Sequence, residues 1–595
     1  MNNTAIKILS VLVWLLSFQY LQAANLDSLE VINAQYDSVL HSDEMELNTL
    51  FYKHQNNMRM NNLGPFGSPQ YYSTVFDLKN INLLNKRDLM ITKLRGLSGF
   101  RPYTNVTYIN ASRKEQHFYI KHIQEFGKLV WLNFDFKKTS APGDYVNQEV
   151  NTTLFTGDLK YSSKKGNYEV VFSTGVWRNF YQENGGLSQP ENYELGVFEE
   201  PRSYPVNLNN SNSFRKRYKN GFSQKLDLFG IGLDSVSRRV FYIKHDIDYE
   251  SQQRVFFDED PLSALYTHIY IDSSSTIDSL YGANFSNILS LGFGDKRFSG
   301  ELFGEYNQKS YFQSYGLDTA YNDLYIGATV SFKDKKFEVL GAGKYGAGGY
   351  IKGDLGSEVQ LSYTREKYRI DGKVSFFVSE PDLKFRYYNS NHFSWNNPDF
   401  VKERIGSLGL NVELKKARIE FKAEVKLMDN ALYYDTLAIA AQDSNVVNIV
   451  AFSLSKDYRL LNFHFRTALI YQNTSDEFLF PLPNIVGRQI LYYQKNIFKG
   501  AMKFQVGLGF SYSTNYYGYA YMPAINEYTN QGGGTEMGFY PRLDLFINTR
   551  IKRAQIFLKY EHFNAGRSLQ KSFIAPGYAP MVKSLKFGVS WNMFD

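Results

Sequence analysis

From Arg418 to Lys426 the side chains alternate without a break. Ile419, Phe421, Ala423 and Val425 fall on one face, and Arg418, Glu420, Lys422, Glu424 and Lys426 on the other. A strict period of two marks a strand with one dry face and one wet face. The pattern recurs in Lys128 to Lys137, where Val130, Leu132, Phe134 and Phe136 oppose Trp131, Asn133, Asp135 and Lys137. It recurs again in Phe241, Ile243, His245 and Ile247 against Tyr242, Lys244, Asp246 and Asp248, and in Ala554, Ile556, Leu558 and Tyr560 against Gln555, Phe557, Lys559 and Glu561. These runs are about 9 to 14 residues long, whereas strands of soluble proteins usually have about 5 to 6. A tilted strand needs about 9 to 11 residues to cross a bilayer.

Composition narrows the choice further. Mean hydropathy is −0.38, and no run of about 18 apolar residues follows the first 25 positions, which excludes a helical membrane protein. The chain has no cysteine, which removes disulfide scaffolds, Cys-ligated metal centres and thiol catalysis. The net charge of +7 is scattered rather than blocked, so nothing points to nucleic acid. The 46 Tyr, 47 Phe and 5 Trp are about twice the usual aromatic load. In an outer-membrane barrel that excess has a cause, because Tyr and Trp collect at both membrane interfaces.

Turn signals come at two scales. Lys164 to Asn167, Lys333 to Lys336 and Lys415-Lys416 are tight; Asn184 to Asn220, Asn391 to Glu403 and Tyr516 to Thr535 are long polar excursions. Short turns at one end and long loops at the other characterise an outer-membrane barrel. Backbone groups in lipid must all be paired, so a sheet spans only when it closes on itself. The expected fold is therefore all-β, a transmembrane antiparallel outer-membrane β-barrel. At roughly 25 to 30 residues per strand and loop it has about 16 to 20 strands, with surplus strand runs placed in loop ribbons or an inward-folded loop.

Met1 to Ala24 carries Lys7, an apolar stretch from Ile8 to Leu21, and Ala23-Ala24 before Asn25. This is the pattern of a secretory signal peptide. The expected organisation is a signal peptide over 1–24, a polar periplasmic or plugging arm over 25–69 and the barrel over 70–595, exported to the outer membrane of a Gram-negative bacterium. At the other end Leu585, Phe587, Val589, Trp591 and Met593 alternate with Lys586, Gly588, Ser590 and Asn592, and the chain stops at Phe594-Asp595. A final amphipathic strand ending on an aromatic looks like the strand by which barrel-assembly machinery recognises its clients.

Three stretches resemble the putative porin family of Bacteroidetes-type outer membranes. Asn62 to Pro69 (NLGPFGSP) is similar to its entry segment, and Tyr388 to Trp395 (YNSNHFSW) to its mid-chain loop. The third and longest stretch runs from Leu482-Pro-Asn484 through Gln489 to Tyr493, Ala520 to Ala524 and Gly538 to Asp544, to Glu561 to Asn564. The resemblance implies a monomeric or oligomeric barrel porin, with no catalytic residue and no secure substrate to carry over.

No nucleotide, zinc-protease, EF-hand or nucleophile-elbow motif is present, so no cofactor or metal is expected. Gly341 to Gly349 reads as a hairpin turn or an inward bend rather than a phosphate cradle. His392 with Ser394, Asn391, Trp395 and Asp399 is the most enzyme-like cluster. Strand spacing holds His392 and Ser394 roughly 7 Å apart at Cα, so a loop-folding cluster anchored by Trp395 is expected and an enzyme is not.

The strand charges carry the functional expectation. On a lipid face a Lys or Arg costs about 2 to 4 kcal/mol at mid-membrane, so Lys244, Asp246, Asp248, Arg418, Glu420, Lys422, Glu424, Lys426, Lys559 and Glu561 are expected to line the lumen. The expected function is a porin-like channel, held in outer-membrane lipid, for passive diffusion of small hydrophilic solutes. The alternatives are an outer-membrane transporter for hydrophobic or specific substrates and, less favoured, a phospholipase-type barrel enzyme. An energy-coupled receptor is disfavoured because it pairs some 22 strands with a plug of about 120 residues, far longer than this arm.

Overall fold

The computed structural model describes residues 102–594 except 128, 232–238, 296 and 567–572. The expected signal peptide and arm, and residues 70–101, lie outside the described residues.

Alternating sequence becomes one sheet that closes on itself. Twenty-two strands pair antiparallel with their neighbours, and the first, Tyr103–Ala111, pairs with the last, Ser584–Phe594, in the register Tyr103↔Phe594 to Ala111↔Lys586. Closure satisfies every sheet edge, as a hydrocarbon environment requires. The barrel exceeds the expected 16 to 20 strands because 22 strands fit within residues 103–594, which leaves fewer residues per strand than assumed. Part of the surplus was foreseen correctly as ribbons: Tyr387–Asn389 pairs with Ser394–Asn396, Leu432–Tyr434 with Ala440–Gln442, and Ala520–Met522 with Glu527–Thr529.

Barrel strands run from 8 residues, Ala554–Glu561, to 21, Ser211–Ile231. The six longest connections, 183–210, 259–275, 380–402, 430–446, 514–541 and 562–583, all open at one end of the barrel. Turns such as 163–167, 334–336, 415–418 and 552–553 lie at the other end, together with Tyr103 and Phe594. The expected excursion Asn184 to Asn220 is shorter than foreseen, because Ser211 onward is strand. The glycine-rich stretch is the strand Phe337–Gly348, with a register shift opposite Leu324/Tyr325; Gly349, at φ 86, starts its turn.

Sidedness follows the alternation. On Ile419–Asp429, Val425 and Leu427 are exposed outward, while Lys426 on the opposite face is 3% exposed. Leu289, Leu291 and Phe293 likewise present an outer apolar face, and Ser286 and Ser290 are buried on the inner one. Among the described residues no helix is long and apolar enough to cross a membrane; crossing is done by strands.

Candidate functional site

Two regions inside the barrel concentrate polar chemistry: the wall and the long-loop mouth. On the wall, Lys244 and Asp246 pair at 2.8 Å and are both buried. Asp248 follows on the same face, opposite Gly221, where a Cβ would stand 2.8 Å from its Oδ1. Gly221 is thus what lets that carboxylate lie against the wall. Glu424 and Lys426 pair at 3.3 Å. Glu420 and Lys422 pair at 3.1 Å and stay open to solvent. Arg418 stands in the turn before this strand, at φ 51, rather than on the strand itself.

Lys559 and Glu561 belong to a closed network. Lys559 meets Glu561 at 2.8 Å and Asp544 at 3.1 Å, and Lys586, wholly buried, meets Glu561 at 3.1 Å and Glu115 at 2.7 Å. The residues singled out from sequence therefore divide into a paired, largely buried set (Lys244, Asp246, Glu424, Lys426, Lys559, Glu561), an open pair near the short-turn end (Glu420, Lys422), Asp248 against Gly221 and Arg418 in the turn.

At the mouth the long loops fold together. Tyr388 stacks on Trp395 at 4.5 Å, Phe385 stacks on Tyr434 at 5.0 Å, and Trp395 donates its ring N–H to the Lys384 carbonyl at 2.9 Å. Ala524 and Ile525, from the tip of the third ribbon, pack into the same cluster with Phe256 of the wall. Polar clamps hold that tip. Arg254 donates to the carbonyls of Pro523, at 3.1 Å, and Ala524; Arg215 donates to the Asn526 side chain; Lys384 pairs with Glu527 at 2.7 Å. Arg254 and Arg215 sit on the strands Arg239–Asp258 and Ser211–Ile231, whereas the loop 514–541 leaves the barrel between Met502–Ser513 and Arg542–Ile551. The tip therefore reaches across the mouth to a distant part of the wall.

Beneath it lies Glu183, 2% exposed, accepting from the Tyr521 hydroxyl at 3.4 Å. Burial pushes its carboxyl up to about 7, against the pull of Arg254 and Arg215. None of these clamps was singled out from the sequence. Arg254 follows Glu250 to Gln253, a polar run whose two faces do not differ, and contacts between residues some 270 positions apart leave no periodic trace.

The His392 cluster is a fold device. His392 Nδ1 lies 2.9 Å from the His268 carbonyl, which can only accept, so the opposite nitrogen accepts from the Thr276 hydroxyl at 2.8 Å. Tyr266 stacks on the ring at 3.8 Å. Asn391 accepts from the Ile271 and Asp272 amides and donates to Thr276. Both imidazole nitrogens are occupied and Ser394 is exposed. Among the described residues no base is bonded to that serine, and burial holds the imidazole below its usual range.

A family model described as "putative porin" matches residues 23–595. No curated protein matches the sequence. Among solved structures the chain is similar to the FrpB iron transporter from Neisseria meningitidis, at 8% identity and a TM-score of 0.55 over 84% of this chain and 82% of that one. It is also similar to the copper transporter OprC, at 10% identity and a TM-score of 0.58 over 83% and 80%. The siderophore receptor PiuA from Acinetobacter baumannii gives 10% identity and a TM-score of 0.53 over 83% and 82%. Likeness at such identities carries the fold alone.

Proposed function

The chain belongs to the putative porin family, and from that premise we propose that it is an outer-membrane transport barrel passing small hydrophilic solutes through its polar lumen, with entry restricted by the folded loops at the mouth. The observation that carries this reading is the docking of the 523–527 tip onto Arg254 and Arg215 of the wall. A tip fixed to the wall stands in the path of a solute entering at the long-loop end and narrows it. Long loops face outward and short turns face the periplasm in such barrels, so the cap stands on the solute's side of entry. The open charges Glu420 and Lys422, with Arg418, are the wall residues a permeant meets below it, and mixed fixed charge there screens permeants by charge and size.

Planar-bilayer conductance of the refolded mature chain tests the reading, alongside a variant with residues 521–527 replaced by a Gly/Ser linker. We expect small, intermittent conductance from the native chain and larger, steadier conductance from the variant. Equal large conductance from both overturns the cap. Silence from both overturns transport through the lumen.

A second reading, transport of one specific substrate, is favoured by strand number, since 22-stranded outer-membrane transporters enclose a plugged lumen. Liposome swelling separates the two. Rates falling smoothly with sugar size indicate diffusion; a single saturable solute indicates the specific transporter.

A further inference from the structure

A hollow of about 540 Å³ opens in the inner wall toward the short-turn end. Its floor comes from small side chains in register. Glu420 pairs with Ser455, Ser455 with Ala468 and Ala468 with Arg488, so two small residues lie between a carboxylate and a guanidinium. Arg418 from the turn and Arg466 from the next row complete the cationic side, and Tyr492 forms one flank. The volume lies within the 300 to 1,000 Å³ typical of small-molecule sites.

Charge decides what fits. The lining carboxylates are Glu413, Glu420 and Asp457. Lys422 pairs with Glu420 at 3.1 Å and Arg459 with Asp457 at 3.3 Å, and neither of these cations lines the hollow. Counted together, the three lining guanidinia and these two neighbours outweigh the three carboxylates. The Lys456 ammonium is turned onto the Ala417 carbonyl and takes no part.

The flank is pre-organised as well. Tyr492 is stacked at 4.6 Å and 8° on His464 and carries the Arg466 guanidinium 5.9 Å from its ring centre. His464 is 6% exposed, and its Nδ1 has no hydrogen-bond partner among the described residues.

We propose that this hollow is a binding station for a small organic anion, its carboxylate or phosphate held by the Arg466 and Arg488 guanidinia and its body laid on Tyr492. Guanidinium forks match planar and tetrahedral oxyanions with paired N–H donors, which a lone ammonium does not. The assignment rests on the transport reading, because the anion is a solute in passage from the mouth to the short-turn end.

The test is calorimetric titration of inorganic phosphate and of citrate into the refolded full chain in micelles at 0.15 M salt, where diffuse lumen charge is screened beyond about 8 Å. Three variants accompany it: the Arg466→Gln/Arg488→Gln double, Ala468→Phe to fill the hollow without touching charge, and Lys225→Gln as a charge-removal control on the strand Ser211–Ile231, far round the sheet from the hollow. We expect saturable binding of at least one anion, weakened about tenfold or more by the first two variants and unchanged by the third. Phosphate alone, or citrate alone, identifies which oxyanion the site reads. No saturable binding by the folded native chain overturns the proposal, and so does equal weakening by Lys225→Gln, which reports a diffuse field. Ala468→Phe binding as tightly as native overturns the location. Binding without conductance keeps the station and defeats the transport reading; conductance without binding does the reverse.

Discussion

Arg254, on the inner face of one strand, donates its guanidinium to the carbonyl of Pro523 at 3.1 Å, tying the barrel wall to a loop residue 269 positions later in the chain. Hydrogen bonds to a charged group contribute about 1.5 to 3 kcal/mol. Arg254→Ala should therefore shift the docked and undocked tip toward undocked by roughly ten- to a hundredfold. In single-channel records this appears as longer open times with unchanged unitary conductance. Unchanged open times would show that the remaining contacts, Arg215 with Asn526, Lys384 with Glu527 and the packing of Ala524 and Ile525, hold the tip without Arg254.

Glu183 makes the same region pH-sensitive. Burial raises its carboxyl from the usual value of 4.5 to about 7. A carboxyl whose folded value lies above its unfolded one binds its proton more tightly when packed. The packed arrangement is then fully favoured below about pH 4.5 and loses support as pH rises through 7, by roughly 3 kcal/mol at most. Open probability should thus be higher at pH 8 than at pH 5, and Glu183→Gln should flatten that dependence toward the low-pH state. A profile that keeps its midpoint in the Gln variant assigns the titration elsewhere.

Lys586 is wholly buried between Glu115 and Glu561. Removing one partner of a buried network leaves uncompensated charge, at a cost of about 3 to 5 kcal/mol. Lys586→Ala should lower the urea midpoint of the folded barrel, read by its heat-modifiable electrophoretic mobility, far more than Lys422→Ala on the open wall. Equal shifts would mean the network is hydrated in solution.

Much of this was legible from local alternation. Whether Val425 or Lys426 faces lipid is decided by neighbours one residue away, so period two gave the sidedness of Ile419–Asp429 directly. Strand ends were less legible. Ser211 to Asn220 reads as polar loop because, near the mouth, the outer face of a long strand meets water as well, and Lys216 and Asn220 replace the apolar residues that mark a strand lower down. Ten residues of strand were missed there. The cap and the hollow were invisible for another reason: each joins residues brought together by closure and register, Arg254 with Pro523 or Arg466 with Arg488. The inward placement of Arg466 and His464 did carry a signal, since they alternate with Phe463 and Phe465 in the run Phe463–Thr474.

The sidedness itself has a direct energetic test in adjacent residues. Leu408 is 58% exposed on the outer face of the strand Glu403–Leu414, and Ser407, one position before, points inward, with its hydroxyl 2.6 Å from that of Ser375. An arginine on the lipid face near mid-membrane costs about 2 to 4 kcal/mol, whereas one in a wet lumen is solvated. Leu408→Arg should lower unfolding stability in lipid vesicles by that amount. Ser407→Arg should cost less than about 1 kcal/mol, close to the hydrogen bond it removes, and should shift reversal potentials toward anions. The same two substitutions measured in detergent should differ less, because micelles deform around a charge more readily than a bilayer does. Equal costs in vesicles would mean that Leu408 faces protein rather than lipid, as it would at a contact between barrels.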